Sequence, residues 1–106
     1  MRRVIVESPY AGDVEANVEY ARACLWDCLQ RGEAPFASHL LYTQVGVLDD
    51  QNPVERKRGM EAGWAWREAA DAVVIYMDRG VSSGMQQAID DAVVEGRVIE
   101  KRWIYA

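Results

Sequence analysis

The run Ala72-Val73-Val74-Ile75-Tyr76-Met77, opened by Asp71, is apolar at every position with β-branched residues at its centre. A strand without polar alternation has no face to offer water and must be covered on both sides. Arg3-Val4-Ile5-Val6-Glu7 has the same character, with no polar alternation until Glu7. Two such strands in one short chain require a sheet flanked by helices on both faces, and the segments between them supply those helices.

Ser8-Pro9-Tyr10-Ala11-Gly12 breaks the first strand. Asp13 is a good N-cap. Val14, Val18, Ala21, Leu25, Cys28 and Leu29 then recur at helical spacing, which predicts a helix from about Val14 to Gln30 with Gly32 as its stop. Ala34 to Leu41 is a weaker strand, with Pro35 near its start, and Tyr42 to Gln51 is a loop. Asn52-Pro53 is a cap residue followed by proline at the first helical position. The helix it starts is expected to turn Val54, Met60, Trp64 and Ala65 inward and to end near Ala69 or Ala70. Gly59 and Gly63 on it cost helix stability, which calls for some close approach as compensation. The turn Asp78-Arg79-Gly80-Val81-Ser82-Ser83-Gly84 leads into a third helix with Met85, Ala88, Ile89, Ala92 and Val93 on one face. Gly96 closes it, and Arg97 to Ile104 is the last strand.

The order is β-α-β-α-β-α-β, expected as one domain over residues 1–106. Strands separated by helices call for crossovers and a mainly parallel sheet, here a three-layer α/β fold with four strands in the order 2-1-3-4. The chain changes direction between strands one and three. Open α/β sheets take ligands at such a switch point, beyond the carboxyl ends of the strands.

Two loops meet there. The first holds Ser8, Tyr10, Gly12 and Asp13; the second holds Asp78, Gly80, Ser82, Ser83, Gly84, Met85 and Gln86. Both lead into helix N-termini, whose free N–H groups favour an anion or a polar oxygen. The glycines let backbone approach a ligand. Tyr10 is suited to stack on a planar base, or to cover the crevice floor. Asp78 is suited to bind ribose hydroxyls, or to cap its turn. Ser82 and Ser83 are suited to cap the helix or to donate to a ligand. His39 follows the second strand, at the crevice rim or in a structural role. Trp64 is expected in the core. Trp66, two residues on, faces another side and is available to a subunit contact.

A net charge of -5 argues against a dedicated nucleic-acid binder, which needs clustered Lys and Arg. Arg56-Lys57-Arg58 is flanked by Glu55 and Glu61 and reads as a solvated helix face. No apolar run approaches the roughly 20 residues of a membrane span, and the apolar start is too short for a signal peptide. Cys24 and Cys28, four apart on a helix, suit reduced thiols in a cytoplasmic protein. With His39 as the lone histidine, no metal site is expected, and no cofactor.

Ser8-Pro9-Tyr10, Ala34-Pro35-Phe36-Ala37-Ser38-His39-Leu40, Glu55-Arg56-Lys57-Arg58-Gly59-Met60, Asp71-Ala72-Val73-Val74 and Gly80-Val81-Ser82-Ser83-Gly84-Met85 together resemble a group of small bacterial and phage proteins similar to nucleoside 2-deoxyribosyltransferases. The resemblance spans most of the chain, with the last turn its most specific part. It implies a flavodoxin-like or Rossmann-like sheet and assembly into homo-oligomers, dimers or larger. In the transferases a glutamate after a Gly-Met-like pair attacks the sugar. Here that position is Gln86, and an amide cannot form the glycosyl ester. Asp78 matches, within a residue, an acidic position ahead of the glycine turn, which makes it the candidate catalytic residue. The expectation is a protein that binds a nucleoside, nucleotide or related ribose compound without transferase chemistry. The alternatives are an enzyme acting on an N-glycosidic bond through Asp78 or Glu7, and an oligomeric interaction protein.

Overall fold

The computed structural model describes residues 1–105. Strand β1 (Arg2–Glu7) leads into helix α1 (Val14–Gln30), β2 (Glu33–Phe36), the single-turn helix α2 (Ser38–Leu41) and α3 (Pro53–Ala65). A 3₁₀ turn over Trp66–Ala69, then β3 (Ala72–Tyr76), α4 (Ser83–Val94) and β4 (Ile99–Arg102) complete the chain. The sheet order is β2-β1-β3-β4 and every neighbouring pair is parallel, in agreement with the expected topology.

Strand alternation divides the core into two layers. Val4, Val6, Val74 and Tyr76 meet Tyr20, Cys24 and Cys28 of α1 on one face of the sheet. Ile5, Val73 and Ile75 meet Met85 and Ala92 of α4 on the other. All five residues of β3 are buried, as its unbroken apolar run requires. Cys24 and Cys28 are free thiols in the α1 layer, and burial pushes Cys24 up to about 12.

The capping residues act as their chemistry predicts. Asp13 accepts from the Ala16 N–H, Asn52 from those of Val54 and Glu55, and Ser82 from that of Met85.

Four expectations need correction. The second strand stops at Phe36, and Ser38–Leu41 is helical. Pro35 lies opposite Val4 on an edge strand, the position in a sheet that tolerates the missing N–H. The last strand covers only Ile99–Arg102. Val54 is 74% exposed and Ala65 is exposed too, because α3 leans on α2 and presents Gly59 and Gly63 where apolar side chains were expected. Val93 likewise faces solvent. The compensation for the α3 glycines is real: a Cβ on Gly63 would stand 2.8 Å from the Ser38 Cβ.

Candidate functional site

The β1–α1 loop is fixed from below. The Asn17 Nδ2 donates to the carbonyls of Tyr10 (2.9 Å) and Ala11 (3.1 Å), and Gly12 takes a φ of +99° that disfavours other residues. Across the carboxyl ends of β1 and β3, the turn after β3 delivers Ser82, Ser83, Gly84 and Met85. The two loops converge: Tyr10 and Ala11 share with these four residues a cleft of about 140 Å³. That is an order of magnitude above the roughly 10–15 Å³ that one water needs. Outside it a broad groove of about 1420 Å³ runs between the Thr43–Gln51 loop and the start of α4, with Gly12, Arg56 and Gln87 along it.

Glu7, Ser8 and His39 also line the cleft. Ser8 Oγ is 2.7 Å from His39 Nε2, and burial pushes the imidazole down to about 4. Burial pushes the Glu7 carboxyl up to about 7, with the positive charge of Arg67 acting the other way. Arg67, itself buried, is held by Glu95 at 2.9 Å and Asp91 at 3.5 Å. Trp64, Met60, Ile5 and Met85 supply apolar walls. At the head of α4, the Ser82 cap takes the N–H of Met85, and the first N–H groups of a helix have no helical carbonyl to bind.

Ser8, Tyr10, Gly12, His39, Ser82, Ser83, Gly84 and Met85 therefore stand together around the cleft and its groove. Four other candidates stand apart. Asp13 caps α1. Gly80 forms the turn with a φ of +80°. The Gln86 amide donates to Asp90 at 2.9 Å on the exposed side of α4. Asp78, the candidate catalytic residue, accepts from the Tyr20 hydroxyl (2.6 Å) and from the N–H groups of Ile104 (3.0 Å) and Tyr105 (2.9 Å), fastening the segment after β4 to α1.

Glu7, the alternative to Asp78, does line the cleft: it shares the sheet face of Ile5, and the cleft lies on that face. Trp64 is a cleft wall rather than core, while Trp66 is 51% exposed as expected, its ring 5.4 Å from that of Phe36. Arg56, read as solvated helix surface, borders both cleft and groove; Asp50 and Arg67 had no sequence signal that marked them. Among the described residues no His, Cys, Asp and Glu group suits a metal ion, and no helix is long and apolar enough to cross a membrane.

A family model described as "Domain of unknown function (DUF7768)" matches residues 2–102. Among solved structures, the chain is similar to a 2-deoxyribosyltransferase from the psychrotolerant bacterium Bacillus psychrosaccharolyticus, described as a biocatalyst for nucleoside synthesis. The TM-score is 0.74 at 11% sequence identity, over 95% of this chain and 72% of that one. At that identity the likeness is one of fold. No curated protein matches the sequence.

Proposed function

The chain belongs to the DUF7768 family, and we propose that it binds a nucleoside, a nucleotide or a related ribose-containing molecule in the cleft between Tyr10 and the head of α4. One observation carries this reading: Tyr10 and Ser83–Gly84 come from opposite sides of the switch point and line the same cleft. Tyr10 offers a ring face and a hydroxyl, the α4 N-terminus offers N–H donors, and apolar walls exclude water. The fold shared with a 2-deoxyribosyltransferase supports the ligand class. Binding without transfer agrees with Gln86, an amide where those enzymes carry their nucleophile, which turns towards Asp90.

Calorimetric titration of the full chain against nucleosides, 5′-nucleotides and other ribose compounds tests the proposal. Saturable heat from at least one of them is expected. Silence across the panel at millimolar ligand overturns it.

A second reading draws on Glu7 and Asp50, two carboxyl-bearing residues among the cleft walls. Hydrolysis of a glycosidic bond uses a pair of such groups. Chromatography of nucleosides and nucleotides after long incubation separates the two: free base in the product favours cleavage, and intact ligand favours binding alone.

A further inference from the structure

Glu7 ends β1 beside Ile75 of β3, and its side chain lines the cleft. Burial and the field of Arg67 act on its carboxyl, and no hydrogen bond from a described residue does. The other inward-facing carboxylate, Glu33, is clamped by Arg102 at 2.7 Å through each oxygen. Glu7 is half-buried at the cleft wall, and a carboxyl there with no protein partner is open to pair with a molecule that enters.

The neighbours leave it free to do so. Arg67, on the 3₁₀ turn, already serves Glu95 and Asp91. His39, on α2, is neutral and engaged with Ser8. Arg56 on α3, Asp50 on the loop before it and Tyr10 after β1 are the other titratable groups around the cleft; among the described residues α4 adds none to its wall. At pH below about 7 the Glu7 carboxyl holds its proton. It then presents an O–H donor and a carbonyl acceptor side by side.

We propose that Glu7, lining the cleft without a protein partner, reads the ring of the ligand, its carboxyl pairing with an acceptor–donor edge of a heterocyclic base, the amidine edge of an amino-substituted ring or the lactam edge of an oxo ring. Trp64 and Met60 wall the same space with apolar surface. The ring enters the cleft first, and the sugar lies outward, towards Tyr10 and the α4 N-terminus. This assignment rests on the nucleoside reading above and names the part of the ligand that selects for it.

Calorimetry of wild type and Glu7→Gln with adenosine, cytidine, guanosine and uridine, from about pH 5.5 to about pH 8, tests it. For wild type, affinity for at least one nucleoside is constant at the acid end and falls about tenfold per pH unit above the Glu7 midpoint. Glu7→Gln keeps a donor and an acceptor at every pH, so it binds the same nucleoside with a flat profile and stays tight at the alkaline end. A wild-type affinity that is flat, or that tightens as pH rises, overturns the assignment and leaves the nucleoside reading standing. No heat from any nucleoside at any pH overturns both. Should Glu7→Gln not fold, the Glu7 carboxyl carbon followed by NMR in the wild type decides: its midpoint rises on adding nucleoside, and an unchanged midpoint overturns the assignment.

Discussion

Ser8 Oγ lies 2.7 Å from Nε2 of His39, and this contact ties the end of β1 to α2. Burial holds the His39 ring neutral, with its folded value near 4 against a free value of 6.5. Stability that is complete above pH 6.5 is therefore lost as pH falls through the folded value, because unfolding lets the ring take up its proton. Ser8→Ala strands the ring nitrogen and is expected to cost about 1–3 kcal/mol in urea unfolding at neutral pH. A Ser8→Ala protein as stable as wild type would mean that the contact contributes nothing.

Glu7 imposes the opposite slope. Its folded value of about 7 exceeds the free value of 4.5. The native state binds that proton more tightly, so this contribution is complete below pH 4.5 and disappears as pH rises through about 7. At about 1.4 kcal/mol per pKa unit the penalty at alkaline pH is at most about 3.5 kcal/mol, less what solvent screening of the partly exposed carboxyl removes. Glu7→Gln is expected to melt several degrees above wild type near pH 8, with the gap closing near pH 4.5. An equal gap at both pH values counts against a raised Glu7 midpoint in the native state. The His39 and Glu7 windows overlap and oppose each other between 4.5 and 6.5, so single variants show what the wild-type curve hides.

The frame was legible in the sequence because its signals are local. The unbroken run before Met77 can only be a central strand, and the Asp13, Asn52 and Ser82 caps mark where three helices begin. That Tyr10 and Ser83 meet at one cleft was legible because topology alone puts their loops at one edge. What the sequence hid depends on packing. Asp78 has the position of a ligand carboxylate, yet backbone N–H groups of Ile104 and Tyr105, far along the chain, occupy it. Glu7 looked ambiguous because alternation states which faces differ and not which face holds the cleft. Arg56 carries a surface-like charge pattern, and only the lean of α3 over α2 brings it to the rim.

That lean depends on Gly63. A Cβ there would sit 2.7 Å from Ser38 Oγ and 2.8 Å from its Cβ, nearer than side chains approach. Gly63→Ala should gain helix propensity of about 1 kcal/mol yet lose more to overpacking, for a net loss on the order of 1–2 kcal/mol. Because Ser38 opens α2, the strain is expected to move the His39 signals in NMR as well. Ser38→Gly in the same protein removes the obstructing atoms and should recover most of the α3 packing. A double variant no more stable than Gly63→Ala alone would place the cost elsewhere.

Arg102 and Glu33 form the most enclosed ion pair, at 2.7 Å through both guanidinium nitrogens, with side chains 4% and 7% exposed. Arg102 also approaches the Tyr76 hydroxyl at 3.4 Å and Glu100 at 3.2 Å, while its Nε finds no partner among the described residues. Arg2 bridges Glu33 and Glu100 from β1. Burying such a pair gains little over apolar packing, but breaking it leaves an uncompensated charge inside. Glu33→Leu or Arg102→Met alone is expected to cost about 3–5 kcal/mol. The double change Glu33→Leu with Arg102→Met removes both charges and should cost clearly less than the sum of the singles. Urea unfolding of the four proteins closes the cycle. Strict additivity would show that the two side chains act independently and overturn the reading of a coupled pair.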